Sequence, residues 1–388
     1  MLNFLKKSKI ELFIFIFFIF TLLFPAILFN KVLFLIIVLL YVNKKYYKIK
    51  TYSPFIIFLI FLFGYINSFF NHVDRELSLQ FFLSILVLFL IYPILHYNIN
   101  IDRIIKVSGL LMILYTAVSF FIIVILIDFS YSNIYYDFFR NYSSGSNGLR
   151  EFVEEGTLSF HIGTVPFLYL PFILYFELFL KKKTVLNFLI TISIFIIIFI
   201  SASRGLILSS IIAAVSILFT NYKLKGKIIF ILMMLPILVF VFSYLLNNTI
   251  IFDSDEGSNG VKIGHFKSVI EHINFFNFFL GEGLGSFYYS MGSQSMKAHT
   301  EITPLDMVRY LGFVLSITLY LVIIFPVRKL KFYFGEKKLY IILFLIYVIN
   351  SFTNPTMFNS YGLLVVLWYW YKILGNKNNN SLQSNLSI

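Results

Sequence analysis

The chain has no cysteine, only two tryptophans and nine prolines, and charged groups make up just 13% of its 388 residues. Without cysteine there is no disulfide framework, thiol nucleophile or cysteine-ligated metal. So few charges cannot clothe a water-soluble surface, because soluble domains average about 25% charged residues. Disorder is excluded from the other side. Disordered segments lack aromatic and branched apolar side chains, yet 59% of this chain is hydrophobic and 20% aromatic. A membrane protein remains.

Roughly 20 apolar residues cross a bilayer as a helix. Apolar runs fall at 11–24, 26–42, 53–70, 77–97, 107–127, 160–180, 184–200, 206–220, 228–246, 305–326, 339–353 and 357–374, each bounded by polar or lysine-rich breaks. The pattern predicts an all-α, polytopic fold with about twelve transmembrane helices in one integral domain. Lys6, Lys7 and Lys9 precede the first pair of runs, and Lys44, Lys45, Lys48 and Lys50 follow it. The positive-inside rule makes both clusters cytoplasmic, so two spans lie between them. No small-residue cleavage site follows the first run, so no removable signal peptide is expected.

Continuing the alternation places both termini in the cytoplasm, with 375–388 a polar tail. It also puts 22 of the 31 lysines and arginines inside and 14 of the 18 acidic residues outside. The net charge of +13 therefore reflects membrane orientation and requires no nucleic-acid partner.

Two long segments fall outside, 128–159 and 247–304. In the second, Ile263, Phe266, Val269, Ile270, Ile273, Phe276 and Leu280 recur at helical spacing, with Lys267, His272 and Asn274 off the stripe. An amphipathic helix resting on the outer leaflet is expected.

Arginine is distributed unlike lysine. Arg103 and Arg328 fall inside, whereas Arg75, Arg140, Arg150, Arg204 and Arg309 fall outside. The guanidinium fork grips phosphate oxygens bidentately, which lysine cannot do. Arg204 lies in Ser201-Ala202-Ser203-Arg204-Gly205, a tight outer turn. It reads either as a snorkelling anchor or, with the serines and the N-terminus of the following helix, as an anion site.

Thr303-Pro304-Leu305-Asp306 opens another span, with Asp306 placed for a capping box and Arg309 one turn on. Arg309 either pairs with Asp306 at i,i+3 or binds phosphate. His299 and Glu301, just before this helix, are candidate proton acceptors; a solvated loop is the alternative for both. His161 is a weaker candidate. His265 and His272 lie seven apart without further ligands, a poor basis for a metal site. Gly281-Glu282-Gly283-Leu284-Gly285 has no preceding strand, so its expected role is to end the surface helix and turn the chain.

In order and spacing, these pieces resemble the O-antigen polymerase and ligase family (Wzy-type), over roughly residues 184–316. Ser201 to Gly205 is similar to the family's Ser-x-Ser-Arg-Gly turn. Phe279 to Phe287 resembles its Leu-Gly-x-Gly-x-Gly ending, and His299 to Gly312 its histidine-to-glycine segment. Two departures are informative. Thr300 follows the histidine and Gly312 is thirteen residues beyond it, which fits the ligase form poorly and the acidic Glu301-x4-Asp306 polymerase version better. Lys262 stands where an arginine is common at the start of the surface helix.

The resemblance implies a glycosyltransferase of the bacterial cytoplasmic membrane, with its active site extracytoplasmic. It would polymerise isoprenoid-diphosphate-linked oligosaccharide repeats into O-antigen, capsular or exopolysaccharide, without cofactor or catalytic metal. A flippase and a chain-length regulator are the implied protein partners. Arg204, with Arg150, Lys262 and Arg309, would hold the diphosphate, and His299 or Glu301 would take the acceptor proton. Two alternatives stand beside it: a ligase moving finished glycan to a lipid or protein acceptor, and a flippase or other transporter. The nearly charge-free span centres and the lack of an internal repeat weigh against transport.

Overall fold

A computed structural model describes residues 2–27, 29–42, 49–127, 133–144, 149–152, 157–201, 203–221, 257–300, 302–335 and 337–375. The expected span at 228–246, Glu301 and most of the polar tail lie outside the described residues.

The described chain is mostly helical. Its helices are α1 (Leu2–Leu23), α2 (Phe29–Val42), α3 (Ser53–Phe70), α4 (Arg75–Tyr97), α5 (Ile101–Leu126), α6 (Ile134–Phe139), α7 (Tyr169–Lys182), α8 (Val185–Ile200), α9 (Arg204–Asn221), α10 (Gly257–His272), α11 (Phe275–Leu280), α12 (Thr303–Leu311), α13 (Phe313–Ile324), α14 (Lys338–Asn350) and α15 (Ser360–Leu374). By length and composition α3, α4 and α5 can cross a membrane; α2, α8, α9, α13 and α14 are shorter apolar helices.

Polar residues in the breaks set several boundaries. The Asp74 side chain accepts from Leu77 N at 2.8 Å, Asn100 from Arg103 N at 3.1 Å and Asn359 from Gly362 N at 2.8 Å. Each satisfies one of the N–H groups that a helix start leaves without a partner. Asn98 and Lys183 end α4 and α7 in the left-handed conformation.

At the centre runs α15, where Leu363 to Trp370 are buried without interruption. A helix apolar on every side belongs in the interior. Its two indoles still need acceptors: Trp368 Nε1 donates to Asp102 Oδ1 at 3.1 Å and Trp370 Nε1 to the Ile323 carbonyl at 2.8 Å. The periphery is apolar too, with Leu35 and Leu39 on α2, Leu59 and Phe63 on α3, and Leu189 and Ile196 on α8 exposed.

Contacts sort the connecting turns into two groups. At one end Lys50 Nζ donates to the Leu95 carbonyl at 3.1 Å, Tyr52 N to the Val327 carbonyl at 2.8 Å and Lys337 Nζ to the Lys372 carbonyl at 2.9 Å, while Lys372 pairs with Asp102. In the second group the start of α9 lies against the turn after α14, and that turn bonds to the start of α12.

Four details differ from the sequence expectation. The chain is not purely α: three antiparallel hairpins form, β1 (Leu149–Phe152) with β2 (Thr157–Phe160), β3 (Tyr288–Ser290) with β4 (Ser295–Lys297), and β5 (Val327–Arg328) with β6 (Lys331–Phe332). The last turns through Lys329 and Leu330 at positive φ, without the Gly or Asn that usually signals such a turn. The surface helix is not continuous, because it breaks at Ile273 and Asn274 caps a separate α11. The run 305–326 is likewise divided by Gly312, at φ 80°, into α12 and α13. Finally, 160–180 becomes helix α7 only from Tyr169, after strand β2 and a short turn.

Candidate functional site

Arg204 is the first residue of α9 and is half-buried. Beside it, Gly205 leaves no room for a side chain. An added Cβ would stand 2.5 Å from Asn350 Oδ1, 2.8 Å from Thr353 Oγ1 and 2.9 Å from Asn354 Nδ2. The Arg204 turn is thus pressed against the turn between α14 and α15. That turn in turn touches the start of α12: Thr303 N donates to the Ser351 carbonyl at 3.2 Å and Thr303 Oγ1 to the Asn354 carbonyl at 3.3 Å.

From Thr303 the chain of contacts leads to Asp306 and Arg309. The Asp306 carboxylate accepts from Thr300 N at 2.9 Å on both oxygens. The expected capping box therefore does not form: Ile302 stands at the N-cap without a side-chain bond, Thr303 is already helical, and Asp306 bonds the loop before the helix instead. Arg309 is fully buried. Its Nη1 donates to the Ser286 carbonyl and, at 3.0 Å, to Ser286 Oγ; its Nη2 donates to the Ala298 carbonyl and lies 3.4 Å from Asp306 Oδ1. The rings of Tyr288 and Tyr310 each stand 4.7 Å from the guanidinium carbon, a cation–π sandwich.

Ser286 and Ala298 flank the β3–β4 hairpin, so one guanidinium clasps both of its ends. Of the two roles the sequence left open for Arg309, the structure shows the Asp306 pair, and a fork engaged with backbone carbonyls.

His299 follows Ala298 directly. Its ring packs 4.9 Å from Phe81, and its Nδ1 lies 3.4 Å from the Tyr310 hydroxyl, which itself donates to the Ala298 carbonyl. The surrounding protein, and secondarily the Arg309 charge, push its pKa down to about 4. One edge of the residue stays exposed. Neutral imidazole is therefore the resting form.

Two further residues, Tyr288 and Ser290, have been brought close that the sequence did not single out. Tyr288, buried with its pKa pushed up to about 12, keeps its hydroxyl proton. That hydroxyl meets His265 Nδ1, which also lies 2.9 Å from Ser290 Oγ. His272 instead pairs with Glu282, Nε2 to Oε1 at 2.9 Å. The two histidines thus go to separate partners.

The glycine loop serves packing. Glu282 N and Gly283 N donate to the carbonyls of Arg309 and Tyr310 at 2.8 and 3.0 Å, satisfying acceptors that the end of α12 leaves over. Gly281, Gly283 and Gly285 all have positive φ, and Asn67 Nδ2 holds the Gly281 carbonyl at 2.9 Å.

The remaining candidates lie elsewhere in the chain. Lys262 is half-buried on α10, beside an open concavity of about 560 Å³ lined by Val261, Gly264, Lys267, Met291 and Gly292. Arg150 stands in β1, opposite Ser159. His161 follows β2. Glu301 lies outside the described residues.

The structure therefore joins the Arg204 turn, the α14–α15 turn and the His299–Arg309 segment through successive contacts. The polar stretch Asn350-Ser351-Phe352-Thr353-Asn354 was visible as the interruption between two apolar runs. Nothing in its sequence pointed to Gly205. No family model, curated protein or solved structure matches this chain.

Proposed function

We propose that this chain is a membrane-embedded glycosyltransferase with about twelve spans, which polymerises isoprenoid-diphosphate-linked oligosaccharide repeats at the outer leaflet. One observation carries the reading: three turns that the charge rule assigns independently to the outer face meet at one end of the helices. They bring an arginine turn, a neutral polar turn and a histidine-bearing loop into one neighbourhood.

The acceptor hydroxyl oxygen attacks the donor's anomeric carbon. The bond from that carbon to the phosphate oxygen breaks, its electron pair stays on the diphosphate, and the hydroxyl proton passes to the base. Arg204 stabilises the negative charge as it develops, in a partly desolvated place where a fixed cation acts most strongly. Lys262 and Arg150 are secondary cations for the carrier. His299 is the base, with Glu301 as the other candidate; such a group contributes about 10²–10⁴ in rate. Arg309 supports this arrangement by holding the hairpin that precedes His299.

Arg204→Ala is expected to abolish long-chain polymer while insertion into the membrane stays normal, and Arg204→Lys to restore little. Chain-length analysis of surface glycan, normalised to protein level, measures this; normal polymer from a stably inserted Arg204→Ala protein would overturn the assignment. Purified protein given lipid-linked repeats alone should yield a ladder of products. A strict need for a second, different acceptor would make it a ligase, and movement of lipid-linked glycan without elongation would make it a transporter.

A further inference from the structure

We propose that Tyr310 is a positioning residue for His299: its hydroxyl oxygen accepts from Nδ1–H, which leaves Nε2 as the basic nitrogen of the ring. The role of His299 as the base rests on the reading above; the state of its ring does not.

A phenol hydroxyl has one proton to give. The Ala298 carbonyl can only accept, and it is the nearer of the two polar groups beside the Tyr310 oxygen. The proton therefore points at Ala298. That carbonyl has a lone pair for each of its two donors, Tyr310 and Arg309 Nη2. Toward His299 Nδ1, 3.4 Å away, the tyrosine oxygen presents only lone pairs. The nitrogen that faces it is the one carrying hydrogen, and in a neutral imidazole the other nitrogen then has the free lone pair.

Packing holds the two side chains in this arrangement. Tyr310 is fully buried on α12, and its ring lies against the Arg309 guanidinium. Phe81, on α4, packs on both partners, its centroid 4.9 Å from the His299 ring and 5.5 Å from the Tyr310 ring. Among the described residues nothing bonds Nε2, and His299 as a whole is exposed. An acceptor proton would thus arrive on Nε2 while Nδ1–H keeps its bond to Tyr310, a bond that strengthens as the ring becomes positive.

Nitrogen-15 NMR of the full-length protein, with its six histidines labelled, reads the tautomer. The His299 signals are those that disappear in His299→Gln. At neutral pH they should show Nδ1 protonated and Nε2 bare, the reverse of what free histidine prefers. In Tyr310→Phe, which keeps the ring and removes the hydroxyl, they should move to the Nε2–H form. Polymer synthesis by that variant should lose at least about tenfold in kcat, part of the roughly 10²–10⁴ that a positioned base supplies, with KM within about twofold of wild type. In a His299→Gln background Tyr310→Phe should cost nothing further, as expected of two residues that act through one interaction.

A wild-type ring with its hydrogen on Nε2 overturns the proposal, and this measurement decides if Tyr310→Phe fails to fold. The same tautomer with and without the hydroxyl also overturns it, as does an additive loss of activity in the double variant. Full activity in His299→Gln would instead remove His299 from the reaction and leave the tautomer assignment standing.

Discussion

Arg309 shows how a residue type can be legible while its work is not. Five of the seven arginines fall in segments that the charge rule assigns to the outer side, and phosphate binding is one use for a planar fork. Backbone carbonyls use the same fork. At Arg309 the carbonyls of Ser286 and Ala298 take both terminal nitrogens, and two tyrosine rings take the faces. Lysine offers a single point charge and could not clasp both ends of a hairpin. The choice of arginine at this position thus has a structural cause.

His299 sits at the end of that clasp, and its chemistry follows from it. Burial of one ring face and the Arg309 charge both disfavour the imidazolium. The folded pKa therefore lies below the ordinary value near 6.5, so the folded state binds fewer protons than the unfolded one between that value and about 4. Stability is therefore lost progressively as pH falls through this window, whereas a base with the folded pKa stays unprotonated until the pH nears about 4. The limb that His299 contributes to the polymerisation rate of purified protein is expected to be centred near 4. The limb should vanish in His299→Gln, which keeps a polar side chain but no titrating group. A limb centred above 6.5 would show that another group is the base.

Among the elements, some boundaries were readable and others were not. Asp74, Asn100 and Asn359 announce helix starts because their side chains cap locally. The division at Gly312 and the break before α11 depend on distant partners. The glycine loop lies against the end of α12 and against α3, contacts that span well over two hundred residues in sequence for Ser68 and Leu284. A one-dimensional pattern contains the glycines but not the surfaces they approach. At Gly283, φ is 98° and an added Cβ would lie 2.5 Å from the Ser68 Cα, so main chain would have to move. Gly283→Ala is expected to cost about 1–3 kcal/mol from overpacking, with positive-φ strain adding to it. Thermal unfolding in detergent reads this as a lowered midpoint. Gly260→Ala is the control: its added Cβ meets nothing within 4 Å, and helix propensity favours alanine by up to about 1 kcal/mol. Equal midpoints for the two variants would mean that the loop does not rest backbone-to-backbone on α3.

For the molecule as a whole, hydropathy and charge predict a chain of many spans, and the structure adds three helices long and apolar enough to cross a membrane and the turns that contact one another. Arg103, Lys329 and Lys372 belong to turns that the charge rule puts inside; Lys372 reaches Asp102, and Val327, two residues before Lys329, reaches Thr51 and Tyr52. His72 and Pro355 belong to turns assigned outside, the first beside the α3 end that touches the glycine loop, the second beside the turn that touches Gly205. The exposed apolar faces of α2, α3 and α8 lie between those ends, as a hydrocarbon layer requires. Because the chain has no cysteine, single cysteines can be read without background. His72, Arg103, Lys329 and Pro355 are all exposed, so reactivity there reports the side of the membrane and not burial. On intact spheroplasts, a membrane-impermeant maleimide is expected to label His72→Cys and Pro355→Cys, and to label Arg103→Cys and Lys329→Cys only after permeabilisation. The opposite pattern would invert the topology and place Arg204 on the cytoplasmic side, where nucleotide-activated sugars replace lipid-linked ones as donors. Labelling of one member of each pair would break the even alternation of spans on which the shared outer face of the three turns depends.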